Sequence, residues 1–164
     1  TINITRNVAN NTHPLVIGIG SSGETRRWSK DKMVNLITKI NKKKKYNFLL
    51  VAGISEKLLA DEIIENLNTN VNIESLCEKS IYDILTKIKN SKIYIGTDSA
   101  FMHLSAGLKV KSFGLFGDTP TNYAEYSSYI NPIIPLGYKS ISHNSKAMDK
   151  ISVDHVINSV NNFI

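Results

Sequence analysis

Three short stretches carry the residues of this chain best suited to chemistry: Gly20–Arg27 (GSSGETRR), Gly53–Lys57 (GISEK) and Gly96–His103 (GTDSAFMH). The first combines backbone freedom at Gly20 and Gly23, hydroxyls at Ser21 and Ser22, and guanidinium groups at Arg26 and Arg27. A helix start follows it, where free amides and the helix dipole favour anions. An arginine–phosphate hydrogen bond is worth about 1.5–3 kcal/mol, roughly twice a neutral one. Taken alone, the loop fits either a phosphate cradle or a βα turn with solvated arginines. It is not a Walker loop. Gly18, Gly20 and Gly23 spell GxGxxG, but Gly18 falls inside an apolar run, and no acidic residue closes the second strand to hold a ribose.

In the third stretch, Asp98 is expected to cap a helix and leave the amides of Ser99 and Ala100 facing an anion. Ser99 and His103 are four apart and share a helix face, and helical side chains lean toward the N-terminus, which directs His103 to the same end. Phe101, Leu104 and Leu108 are assigned to the core side. A plain cap at Asp98 and a histidine bonded within the packing fit the same letters. No serine elbow precedes Ser99, so Ser99 and His103 do not make a nucleophile pair. His13, His143 and His155 are scattered, and no spacing recommends a metal site. The tyrosines from Tyr123 to Tyr138 read as packing residues.

These loops need a frame. The run Pro14–Gly20 fits a strand buried on both faces. Ser29 reads as a helix N-cap with Trp28 and Met33 as its hydrophobic staple, and Met33, Leu36, Ile37 and Ile40 keep helical spacing. Asn47–Gly53 reads as a second strand, followed by a helix carrying Leu59, Ile63 and Leu67. Val71–Leu76 is a weaker third strand, and Ser80 caps a helix with Ile81, Ile84, Leu85 and Ile88 on one face. Lys92–Gly96 is a fourth strand, Asp98–Leu108 a short helix and Val110–Gly117 a fifth strand. Thr119–Ser145 shows no pattern. A last helix opens at Ser152 with Val153, Val156, Ile157, Val160 and Ile164.

This alternation predicts an α/β fold, a Rossmann-like parallel sheet with helices on both faces, because right-handed crossovers put them there. Residues 14–164 form the single domain, and 1–13 (TINITRNVANNTH) read as a linker or tail. In such sheets ligands bind beyond the carboxyl ends of the strands, at the switch point of strand order. All three stretches leave strands at that edge.

The bulk composition agrees. The chain has 164 residues, 41% hydrophobic and 21% charged, with a single cysteine, Cys77, which excludes an internal disulfide framework and suits a reducing cytoplasm. No apolar run approaches the roughly 20 residues that span a bilayer. The formal net charge of +6 favours anionic partners. The densest basic cluster, Lys42–Lys45, reads as a solvated helix C-terminus and lacks the interleaved aromatics of a single-strand nucleic-acid groove, so nucleic acid is not the expected partner.

Together the motifs resemble a known family. Gly20–Trp28 followed by a capped helix resembles the small-polar loop and K-R-W segment of family 9 glycosyltransferases, the lipopolysaccharide heptosyltransferases. GTDSAFMHLSAGL, followed by a strand ending LFG, is similar to their block G-[ND]-[ST]-G-x-x-H-L-A-A-A-L with its later FG. MDKISVDHVINSV is similar to their closing helix. The resemblance runs from Leu15 to the C-terminus.

It implies the C-terminal, donor-binding half of a GT-B enzyme, in which two Rossmann-like domains face a cleft. The donor would be a nucleotide sugar, ADP-heptose in most of the family. By position, Ser21, Ser22 and Arg26 would hold its diphosphate, with arginine where the family usually has lysine. Asp98 and the amides of Ser99 and Ala100 would meet phosphate and sugar, His103 would support that loop, and the segment at Lys79 and Ser80 would edge the nucleobase. Arg27 is expected to be a surface neighbour. The ribose-contacting glutamate position falls on Lys57, with adjacent Glu56 as its substitute. Ala100 stands where the family has glycine, and Phe116–Thr121 reads FGDTPT for the usual FGPTDP, which bears on the identity of the sugar.

The implied reaction is inverting glycosyl transfer without a metal. Its base, an aspartate, would come from the N-terminal acceptor-binding domain of the same protein, and Arg26 would stabilise the departing diphosphate. The implied acceptor is a phosphorylated glycolipid of lipopolysaccharide or surface glycan synthesis, in the cytoplasm and in peripheral association with the inner face of the cytoplasmic membrane. A start at Thr1 without methionine fits an excised domain. The alternatives are a non-catalytic nucleotide-binding module and a GT-B sugar-nucleotide epimerase relative.

Overall fold

The computed structural model describes residues 13–164, so the tail expected at 1–13 lies outside the described residues except for His13. Six parallel strands form one sheet in the order β3-β2-β1-β4-β5-β6. They are β1 (Leu15–Gly18), β2 (Asn47–Val51), β3 (Asn72–Ser75), β4 (Ile93–Thr97), β5 (Lys111–Leu115) and β6 (Ile130–Ile133). The helices are α1 (Lys30–Lys43), α2 (Lys57–Glu65), α3 (Ile81–Lys89), α4 (Ala100–Gly107) and α5 (Val153–Val160).

Side chains alternate along the strands and thereby divide the core in two. Leu15, Ile17, Phe48, Leu50, Ile93 and Ile95 pack on one face with α1, α2 and α5. Val16, Leu49, Val51 and Tyr94 pack on the other with α3 and α4. Both faces of the sheet are therefore covered, and the strands read as continuous apolar runs for that reason.

Three serine caps form as the sequence predicts. Ser29, Ser80 and Ser152 accept from the amides of Lys32, Asp83 and His155, each satisfying one of the donors a helix start leaves free. Trp28 and Met33 are both buried in the same cluster, as a staple requires. The Trp28 Nε1–H also donates to the Ile151 carbonyl at 3.0 Å, tying the α1 entry to the approach of α5.

Four readings of the sequence are corrected. Strand β6 was not anticipated: its segment INPI contains Pro132, which lacks a ladder donor and is tolerated because the strand sits at the sheet edge. Ile81 is 55% exposed and Leu104 36% exposed, so neither belongs to the core side of its helix. The buried face of α4 is Met102, Ser105 and Ala106, because Gly114 of β5 leaves space that the Met102 sulfur fills. Finally, α4 starts at Ala100 with Ser99 at its N-cap, and Asp98 lies outside the helix.

Candidate functional site

Strands β1 and β4 are neighbours in the sheet but far apart in sequence, and the order reverses between them. Their loops diverge beyond the carboxyl ends and leave a crevice, the usual ligand position in an open α/β sheet. A groove of about 450 Å³ lies there, lined by Gly20, Ser21, Ser22, Arg26, Gly53, Glu56, Asp98, Ser99, Ala100, Phe101 and His103. Eight of the ten residues singled out from the sequence therefore meet in one place. Lys79 and Ser80 are not among its lining residues, and Ser80 is engaged as the α3 cap.

The switch point depends on close backbone approach. Gly18 and Gly96 are register partners. A Cβ on Gly96 would stand 2.3 Å from the Gly18 carbonyl oxygen, and one on Gly18 would stand 1.8 Å from the Tyr94 hydroxyl. Glycine is needed at both positions for room. Tyr94, fully buried, uses that room to reach the floor of the site. Its hydroxyl donates to the Thr97 carbonyl at 2.9 Å and lies 3.2 Å from Ser99 Oγ. Burial pushes the phenol well above its ordinary range, so it stays a proton donor. With its hydroxyl held from beneath, Ser99 makes no side-chain cap, and the first amides of α4 remain free toward the groove.

Further contacts hold the Gly20–Arg27 loop. The Thr97 hydroxyl donates to the Gly20 carbonyl across the crevice. Ser21 Oγ donates to the Gly23 carbonyl at 2.7 Å, and the short 3-10 turn Glu24–Arg26 follows. Thr25 Oγ1 donates to Asp118 Oδ2 at 2.6 Å, and the other Asp118 oxygen accepts from the Lys146 amide at 2.6 Å. Asp118 is 5% exposed. Burial pushes its carboxyl up, but the two hydrogen bonds and the charges of Arg26 and Lys146 outweigh that and hold it below the usual range.

The charges in the groove are unevenly matched. Glu56 Oε1 faces the Arg27 guanidinium at 3.9 Å, and Asp98 Oδ1 faces His103 Nε2 at 3.4 Å. Arg27, expected as a bystander, thus neutralises a groove carboxylate. Arg26 donates only to the neutral Ser22 Oγ, at 2.9 Å. Among the described residues no carboxylate comes within ion-pairing distance of Arg26. Among the described residues the groove therefore presents a guanidinium with no close ion-pair partner, its charge felt only at longer range by Asp118, opposite free helix amides, which is the chemistry of an anion site. Lys57 is turned away, paired with Asp61 at 2.5 Å and Glu78 at 3.8 Å, leaving Glu56 as the acidic group of this loop in the groove.

Sequence reasoning missed several participants. Tyr94 and Thr97 were legible only as strand letters, although strand alternation puts Tyr94 under the α4 side. Asp118 carried the plainest signal, an acid immediately beyond a strand at the ligand edge. Tyr126, whose hydroxyl lies 2.6 Å from His103 Nδ1, gave none, because the contact spans 23 residues of unpatterned chain.

The sequence model of the family described as "Glycosyltransferase family 9 (heptosyltransferase)" matches residues 3–150. The chain is 32% identical over 143 residues to lipopolysaccharide heptosyltransferase 1 of Campylobacter coli, covering 85% of this chain and 41% of that protein. In fold it is similar to Escherichia coli ADP-heptose lipopolysaccharide heptosyltransferase II, with a TM-score of 0.79 at 20% identity over 96% of this chain and 48% of the other. It is also similar to E. coli heptosyltransferase WaaC, solved with ADP, with a TM-score of 0.78 at 15% identity over 96% and 47% of the two chains. The chain thus spans less than half the length of these relatives. On the extent of the family match and this identity, the chain belongs to glycosyltransferase family 9, the heptosyltransferases.

Proposed function

We propose that this chain binds the nucleotide-sugar donor of an inverting glycosyltransferase, with ADP-heptose as donor and a glycolipid of lipopolysaccharide or surface glycan synthesis as acceptor. The observation that carries the reading is Arg26, a guanidinium that has no close ion-pair partner among the described residues, in a switch-point groove whose two carboxylates each have a partner. In this reading the donor diphosphate lies between Arg26 with Ser21 and Ser22 on one side and the free amides at the start of α4 on the other. Glu56 takes the ribose hydroxyls, and the segment at Lys79 and Ser80 edges the base.

Transfer breaks the bond between the anomeric carbon and the diphosphate oxygen, so negative charge grows on the leaving group. Arg26 and the α4 amides are preorganised to meet that charge, which makes this an electrostatic role that needs no metal. The base that takes the acceptor proton is assigned to the N-terminal domain of the same protein, at the inner face of the cytoplasmic membrane.

The test is Arg26→Ala. Calorimetry is expected to show ADP binding weakened by about 1.5–3 kcal/mol, which is about 10- to 150-fold in Kd. Unchanged affinity removes the role given to Arg26. A thermal-shift panel of ADP, UDP, GDP and CMP reports the base, with ADP expected to give the largest rise. No response to any of the four refutes the donor-site reading.

A further inference from the structure

The turn that carries Arg26 has few attachments. Within Ser21–Arg26 the bonds are local. Ser21 Oγ donates to the Gly23 carbonyl at 2.7 Å, the Arg26 amide donates to the same carbonyl at 3.1 Å, and Arg26 Nη1 donates to Ser22 Oγ at 2.9 Å. Among the described residues, one hydrogen bond joins this segment to the rest of the chain, from Thr25 Oγ1 to Asp118 Oδ2 at 2.6 Å. The next ties lie outside the segment, at the Gly20 carbonyl under Thr97 and at the 3.9 Å pair of Arg27 with Glu56.

The far end of the Thr25 bond is a fixed point. Asp118 is buried, and its other oxygen accepts from the Lys146 amide at 2.6 Å. Beside it the Gly117 carbonyl accepts from the Ala147 amide at 2.7 Å, so two adjacent bonds hold this segment to 146–147. An ionised carboxylate only accepts, so the Thr25 hydroxyl is the donor.

We infer that Thr25 is a positioning residue, whose bond to Asp118 holds the 3-10 turn Glu24–Arg26 so that the Arg26 guanidinium points into the groove. Successive side chains on a turn of three residues leave it in different directions. Arg26 lines the groove, whereas Thr25 does not and instead lines a separate cleft with Lys146 and Met148. With Thr25 pinned on that side, the rotation of the turn is set and Arg26 has one aim. The same bond occupies Asp118 Oδ2. Without the Thr25 hydroxyl, that oxygen becomes a free acceptor that competes with a diphosphate for Arg26. Thr25 thereby acts on donor binding without touching the donor. This link to binding rests on the donor-site reading above, so the turn and the affinity are measured separately.

In the ligand-free chain, backbone amide relaxation by NMR reports the order of Gly23 to Arg26. Thr25→Val, which keeps the shape and removes the hydroxyl, is expected to loosen these amides. In calorimetry with ADP it is expected to bind about 3- to 10-fold more weakly, the range of one hydrogen bond. Thr25→Ser, which keeps the hydroxyl, is expected to restore both. Introduced into Arg26→Ala, Thr25→Val is expected to cost less than about 2-fold in ADP affinity, because a residue that acts through Arg26 has nothing left to position. Circular dichroism and the melting temperature check that each variant is folded. Wild-type order in Thr25→Val overturns the inference, and so does loosened order with wild-type ADP affinity or a full additive loss in the Arg26→Ala background. If the wild type itself fails to bind ADP, the donor reading falls and takes the link to binding with it. The relaxation measurement still decides whether Thr25 holds the turn.

Discussion

Glu56 and Asp98 would make the groove hostile to phosphate were they bare, and the residues that compensate them are as important as those that face the ligand. Arg27 lies 3.9 Å from Glu56. This pair is partly solvated and therefore worth little to the fold, but removing Arg27 leaves a free carboxylate in the site. Arg27→Gln is expected to weaken ADP binding about 2- to 5-fold, the range of an exposed ion pair, well short of Arg26→Ala in the same calorimetric series. Asp118 is a structural counterpart, buried and bonded to both Thr25 and the Lys146 amide. Asp118→Ala strands both donors and is expected to cost about 1.5–3 kcal/mol at pH 7 in thermal unfolding. The sign with pH follows from the lowered carboxyl. Its contribution is present above the ordinary value of 3.8 and is lost as pH falls through the lower folded value. The gap between wild type and Asp118→Ala should therefore close in acid, and a gap that widened there would contradict the ionised clasp.

At the scale of elements, the site stands on the β1–β4 junction and on the start of α4, while the start of α1 belongs to the frame behind the first loop. Gly18→Ala would push a methyl group into the Tyr94 hydroxyl, which is fully buried and bonded under Thr97 and Ser99. Overpacking of this kind costs about 1–3 kcal/mol. Because Tyr94 supports the 97–99 turn, ADP affinity should fall together with the melting temperature. Ser29→Ala removes only the α1 cap. Its expected effect is about 0.5–2 kcal/mol of stability with ADP affinity held, since no atom of Ser29 lines the groove. The pair of variants thus separates damage to the site from damage to the frame.

At the scale of the whole molecule, both core clusters lie against the sheet faces, and the ligand groove lies at its carboxyl edge. In the proposed reading such a domain binds the donor with a rigid sheet behind it, and the acceptor site and the base belong to the N-terminal domain. The chain is expected to gain stability from ADP, by about 2.7 kcal/mol at a hundredfold excess over Kd, or about 5–10 °C for a domain of this size. Incubated with ADP-heptose and a glycolipid acceptor, it is expected to transfer no sugar, as product analysis by mass spectrometry would show. Transfer by the chain alone would place the base in this half and overturn the division of labour proposed above.

The sequence by itself determined the frame. Short continuous apolar runs and period-3.6 apolar patterns, with serine at three helix starts, specify five of the six strands and all five helices, because these signals are local and burial enforces them. It also named the two loops with anion chemistry, since glycines, hydroxyls and arginines before a helix start are legible as letters. Only the tertiary structure decided which of those letters act together. Arg26 and Arg27 are adjacent in sequence, yet one faces a neutral hydroxyl and the other a carboxylate 29 positions away in the chain. The bonds from Thr25 to Asp118 and from His103 to Tyr126 join residues 93 and 23 positions apart. No periodicity records such pairings, because they are set by where strand order reverses and which loops that brings into reach. Strand β6 was hidden for a related reason: an edge strand with a proline lacks the local pattern and forms because β5 offers it a free edge.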